Sequence, residues 1–305
     1  MSESALLRPR PGPVDAATLW NGFWFRPEAP TNLAVARIVI ALSALWVVLS
    51  RRDLPSLFEY PSSMWRTVPP ERRLRFLLVV SPAVERALWI TLHLALLLTI
   101  VGLLTRWAAL LSAILLYHFA PLETIFRTGN PYLLGFTTPC VALIAVAVSQ
   151  SGGAFLRRGR DDADWVSWRH RWPVAMCEFL LCWMYFFAGY SKLVTTGLAW
   201  LDPRNIRNYI LAINQALGMA HRPGLGLWIA DHPVLCGFVS VTGLSLELLF
   251  PFVLVVRRGR IPLVVAMVIF HLLNFLVFRI AFQSILLLLV FIDWQALVHE
   301  RRMTA

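Results

Sequence analysis

The chain has 305 residues, of which 58% are hydrophobic and only 15% charged, with a formal net charge of +11 and a mean hydropathy of +0.65. These values exclude an ordinary soluble domain and a disordered chain, and they describe an integral membrane protein. The basic balance does not imply a nucleic-acid partner, because the arginines gather in short clusters between apolar runs, such as SRRD, ERRLR, LRRGR, WRHRW and VRRGR. Clusters of that kind flank membrane spans and meet anionic headgroups.

Residues 1–30 form a polar, proline-broken segment without the charged-then-apolar layout of a cleaved signal, and Trp20, Phe23, Trp24 and Phe25 give it an interfacial anchor. The transmembrane domain is expected over 31–298, with a short tail at 299–305. A helix needs about twenty mostly apolar residues to cross the hydrocarbon core. Eight stretches qualify: 31–50, 84–104, 106–121, 132–150, 173–193, 233–256, 261–278 and 280–298. The stretch 203–220 is too polar to span and is expected to lie at the interface as an amphipathic helix. The fold class is therefore all-α, a polytopic helical bundle of about eight transmembrane helices. The short arginine-rich loops at 156–160 and 256–260 place the N-terminus in the cytoplasm, so that the end of the fifth span and the segment 194–232 face outward. Cys140, Cys177, Cys182 and Cys236 fall within apolar runs without metal-binding spacing and read as small buried hydrophobes. No metal site is expected.

Ionisable groups inside apolar spans are costly and raise a functional question by default. Here they are Arg37, His93, His118, Glu178, Lys192, Glu247 and His271, with Asn274 as a polar companion. Arg37 is expected to be structural, snorkelling or paired with a buried carboxylate such as Glu247. His93 and His118 could each be satisfied by a backbone carbonyl. In the fifth span Glu178, Cys182, Tyr185, Gly189 and Lys192 share one helical face. Gly189 leaves room beside the amine for a neighbouring helix or a ligand. At 1.5 Å per residue Glu178 lies roughly 21 Å along the axis from Lys192, too far to be its partner. His271 and Asn274 share a face three residues apart, and such a stripe turns inward. Lys192 is the only lysine among 28 basic side chains. On spacing alone it is either a snorkelling interfacial cation or an amine lining a pocket.

The segment YFFAGYSKL around Lys192 resembles the region of the proposed catalytic base in the vitamin K-dependent gamma-glutamyl carboxylases, whose membrane core is shared by bacterial relatives as the horizontally transferred transmembrane (HTTM) domain. Tyr185, Phe186, Ala188, Gly189, Lys192 and Leu193 match the motif, and Trp200 follows at the corresponding distance. Arg37 in LAVARI, VGLLTR ending at Arg106, GNPYLLG at 129–135 and FHLLN at 270–274 fall in the same order.

That resemblance implies a protein of a bacterial inner membrane in which the lysine amine deprotonates a reduced naphthoquinone. The quinol then reacts with oxygen, and the strong base so formed takes a proton from a glutamate side chain, to which carbon dioxide adds. Lys192 is the implied base, with Asn130 and Tyr132 at the reacting centre and Tyr185, Gly189, Trp200, His271 and Asn274 around the ring pocket. An amine can lose its proton at a low-dielectric site, whereas an arginine cannot. Asn130 stands where vertebrate carboxylases carry a histidine; its amide can hydrogen-bond a developing oxyanion but cannot shuttle a proton. The chain is expected to be a short form without the large extramembrane domain that selects carboxylase substrates. The implied partners are membrane lipid, a quinone and a glutamyl-containing peptide or protein. The alternatives are a non-catalytic HTTM module that binds a lipid, peptide or protein, as in immunity systems, and a transporter.

Overall fold

The computed structural model describes residues 15–52, 59, 81–126, 133–149, 166–216, 224–278, 280 and 282–303. Every named element is helical, and an isolated bridge pairs Glu28 with Ser167. In chain order the helices are α1 (Ala16–Trp24), α2 (Thr31–Leu49), α3 (Pro82–Val101), α4 (Thr105–Phe126), α5 (Leu133–Val148), α6 (Trp168–Thr196), α7 (Pro203–Ala216), α8 (Leu225–Ala230), α9 (Pro233–Leu249), α10 (Arg260–Phe278) and α11 (Trp294–Met303). Short 3₁₀ segments at Gly197–Leu201, Phe250–Leu254 and Arg257–Gly259 extend or join them. The protein is an all-α membrane bundle. Among the described residues, five helical stretches are long and apolar enough to cross a bilayer: Thr31–Leu49, Pro82–Val101, Trp168–Leu201, Pro233–Leu254 and Arg260–Phe278.

The expected span at 106–121 belongs to α4, whose 22 residues reach about 33 Å. The expected span at 132–150 falls in α5, with its apolar stretch at Thr137–Val148. The apolar run 280–298 is built differently. Gln283–Phe291 forms a 3₁₀ helix that packs against α2, and α11 follows. Apolar length alone does not distinguish a crossing helix from a buried one.

Helix α2 is the hub of the bundle, packing against α3, α5, α6 and the 3₁₀ helix Gln283–Phe291. Its alanines permit this crowding, since Ala34, Ala36, Ala41 and Ala44 are all buried. A main core runs through α2 to α6 and on to α10, and a smaller cluster of Ile206, Ile210, Ile229, Cys236, Val277 and Phe278 closes one end. Polar 203–220 does contain a helix, α7, which packs on α9 and belongs to that closing layer.

The guanidinium of Arg37 is 1% exposed and sits at the C-terminal end of α3. There α3 stops at Gly102, in the left-handed conformation at φ 90° with its amide donating to the Leu98 carbonyl. Arg37 packs onto the bare Cα of Gly102, and its Nη2 lies 3.5 Å from the Ile100 carbonyl. Of the arrangements expected for Arg37, pairing with Glu247 is not made, because Lys192 takes both Glu247 oxygens. A Cβ at Gly102 would collide with the Arg37 guanidinium and strain the backbone as well. Gly102→Ala should therefore cost about 1–3 kcal/mol of stability from the backbone alone, read as a lowered unfolding midpoint in detergent.

Candidate functional site

At the C-terminal end of α6, Lys192 meets α9. Its ammonium donates to both carboxylate oxygens of Glu247, each at 2.5 Å. The close approach is possible because Gly189, one turn earlier, faces α9; a Cβ there would lie 3.1 Å from Glu247 Cβ and 3.0 Å from Leu248 Cγ. The space beside the amine is thus filled by a helix. Trp200, on the 3₁₀ turn after α6, lies beneath the ammonium, with Nζ 5.2 Å from its ring centroid. Ser240 of α9 donates to the Trp200 carbonyl at 2.7 Å and holds that turn in place. Glu247 is buried, while the Lys192 side chain keeps 27% of its surface exposed, so the pair opens on the lysine side. The amine is therefore a partly exposed group with a fixed anionic partner on the neighbouring helix.

Two helical turns deeper on the same face of α6, the buried Tyr185 hydroxyl shares a 2.6 Å hydrogen bond with His271 Nε2 on α10. The ring of Tyr185 is held edge-on by Phe250, and His271 packs against Phe282. His271 Nδ1 is buried and has no hydrogen-bond partner among the described residues. A ring nitrogen left so costs about 1–3 kcal/mol, which marks this as a place where polarity is retained against stability. Asn274 is half-buried one turn further along α10. The structure thus brings Lys192, Gly189, Trp200 and Glu247 together, with Tyr185 and His271 as a second pair on the shared face of α6. Asn130 and Tyr132 lie outside the described residues.

A separate polar cluster occupies the other end of α6. Glu178 is fully buried and lies between Arg171, whose Nη2 donates to it at 2.7 Å, and Arg260 of α10, which bonds the other oxygen. Arg171 also donates to the Phe23 carbonyl at 2.9 Å and packs over the Phe23 ring, tying the N-terminal segment to α6. Arg260 donates to the Phe291 carbonyl at 2.8 Å. The arginine clusters at 169–171 and 257–260, read from sequence as flanking charge, therefore each send one member into the protein. The signal was available: Glu178 follows Arg171 by seven residues on one helix face, and a buried carboxylate demands a cation.

A third pair went unrecognised in the sequence. Glu85 of α3, fully buried, accepts from His118 Nε2 of α4 at 2.9 Å. The expected carbonyl partner holds for His93, whose Nδ1 donates to the Trp89 carbonyl at 2.8 Å, and His118 bonds a carboxylate. Glu85 lies in the first turn of its helix, where acids are common for dipole reasons, and so drew no notice. The four cysteines are all buried, and none forms a disulfide.

The HTTM domain model matches residues 25–294, nearly the whole chain. The chain belongs to the HTTM domain family. No curated protein and no solved structure matches it significantly. In this HTTM protein the segments that carried the resemblance converge: YFFAGYSKL supplies Lys192 and Tyr185, and FHLLN supplies the histidine that Tyr185 bonds.

Proposed function

We propose that this HTTM protein is a membrane enzyme of the carboxylase type that acts on a hydroquinone, with Lys192 as the proton-accepting group. The observation that supports the reading is the Lys192–Glu247 pair, with both contacts at 2.5 Å over the face of Trp200. A lone ammonium at a membrane interface needs no buried carboxylate. An amine that must give up and regain a proton does need a neighbour able to hold it, and Glu247 is within direct transfer distance.

The residues present fit a reduced naphthoquinone. Trp200 offers an aromatic face, Lys192 and Glu247 offer a donor and an acceptor for a ring hydroxyl, and the unpartnered His271 Nδ1 lies on the same inner side of the bundle. When bound, such a quinol supplies the oxidisable ring whose reaction with oxygen drives carbon–hydrogen bond breaking at the acceptor, a glutamyl side chain to which carbon dioxide adds. Lys192 takes the ring hydroxyl proton, having passed its own to Glu247. Trp200 orients the ring and sheds water from the amine. Tyr185 fixes His271 in place through the 2.6 Å hydrogen bond. The Lys192 end of the bundle faces outward, where a peptide substrate can reach it.

The second reading is a non-catalytic HTTM module, and one observation favours it: the same ion pair bolts α6 to α9, a sufficient structural reason for both residues. Binding separates the two readings. A reduced naphthoquinone at about a hundredfold excess over its Kd should stabilise the purified wild type by about 2.7 kcal/mol, seen as a rise of several degrees in thermal midpoint. Lys192→Ala should lose that rise. A wild type that folds well and shows no shift overturns the enzymatic reading in favour of the binding module.

A further inference from the structure

The groove at the opposite end of α6 lies apart from the Lys192–Glu247 site. It has a volume of about 540 Å³ and is walled by Trp24 of α1, Val148 of α5 and Trp168, Arg169, Trp172 and Met176 of α6. That volume lies within the range of ligand clefts, about 300–1,000 Å³. Its walls are apolar and strongly aromatic, and three indole rings gathered at one end of a span are characteristic of the headgroup level of a membrane.

One charge stands in this apolar setting. The neighbouring arginines are committed: Arg171 to Glu178, and Arg26 to Glu28. Arg169 is exposed, rests over the Trp168 ring at 5.8 Å and makes no ion pair among the described residues. A guanidinium without an ion pair among the described residues, on the rim of a greasy groove, complements a ligand with an apolar tail and an anionic head. α1 lies against α6 beside the groove, with Leu19 and Trp20 exposed, apolar side chains of the kind that anchor at a membrane interface. The groove therefore opens where lipid headgroups lie.

We infer that the groove between α1, α5 and α6 seats one anionic phospholipid, with an acyl chain against the tryptophans and the phosphate beside Arg169. A basic pocket between membrane helices is a recognised way to hold such headgroups. The site concerns lipid recognition alone and stands whether or not Lys192 is catalytic.

The test is native mass spectrometry of the delipidated full chain titrated with phosphatidylglycerol or phosphatidylcholine. The wild type should bind one phosphatidylglycerol in preference to phosphatidylcholine, and Arg169→Ala should weaken that first binding by about five- to tenfold. Arg106→Ala, which removes an exposed arginine from α4, should leave it unchanged. Trp172→Ala should weaken both lipids. Because Arg169 is exposed, its variant should keep the lipid-free thermal midpoint of the wild type, which separates lost binding from lost folding. Equal first binding of the two lipids, or an Arg169→Ala variant that binds phosphatidylglycerol as the wild type does, overturns the assignment.

Discussion

Replacing Glu178 by leucine should lower stability by about 3–5 kcal/mol, the cost of breaking a buried ion cluster by removing one partner. The carboxylate is fully buried and bonds two guanidinium groups, Arg171 and Arg260, that approach it from different helices, while Glu28 lies 3.9 Å from Arg171 as a second acid. Without it, two cations of like sign face each other inside the bundle. The damage should reach beyond α6, because Arg171 also holds Phe23 and Arg260 also holds the Phe291 carbonyl. Glu178→Gln keeps the shape and some hydrogen bonding, and should fall between the two. Combining Glu178→Leu with Arg171→Met and Arg260→Met removes all three charges and should recover most of the loss, since apolar replacements of whole buried clusters are often well tolerated. Detergent unfolding midpoints of the three variants measure this. A loss under about 1 kcal/mol for Glu178→Leu would show that the cluster is hydrated in practice.

Lys192→Arg should fold and yet reduce oxidation of a reduced naphthoquinone by about 10²- to 10⁴-fold, the usual worth of a positioned proton-transfer group. Arginine can restore the contact with Glu247, because a guanidinium forms a forked pair with a carboxylate readily. It cannot become neutral and accept a proton. The paired replacement sharpens the point. Lys192→Met alone strands a buried carboxylate, whereas Lys192→Met with Glu247→Met should return the thermal midpoint to near that of the wild type with no return of turnover. Stability and turnover thus separate in these variants, as they would not for a purely structural bolt. Full turnover in Lys192→Arg would remove the proton-accepting role.

Much of the bundle was legible because apolar runs of about twenty residues have few other uses. Lys192 stood out as the lone lysine, and Gly189 as the small residue beside it. What the sequence did not carry was pairing. Glu247 appeared among the buried acids only as one carboxylate that Arg37 could meet, and its pairing with Lys192 was not visible, since nothing local links residues 55 positions apart. Arg37 instead answers to Gly102, whose lack of a side chain is visible in sequence while its left-handed conformation is not. Glu85 went unnoticed and Arg260 was read only as part of a flanking charge cluster, and their inward direction depends on the rotation of α3 and α10. The run 280–298 reads as apolar, but its 3₁₀ build over Gln283–Phe291 and its packing on α2 are not visible in hydropathy.

The two charge clusters also differ in how they can be assembled as the chain enters the bilayer. Arg171 and Glu178 lie on one helix, so α6 can carry its acid into the membrane already paired with a cation, and Arg260 joins the cluster once α10 is made. Lys192 and Glu247 have no such companion on their own helices. At about 5–20 residues per second, α6 waits roughly 3–11 s for the 55 residues that bring Glu247. The amine therefore begins its life in the membrane without its acid, and its place near a helix end lets water hold it until α9 arrives.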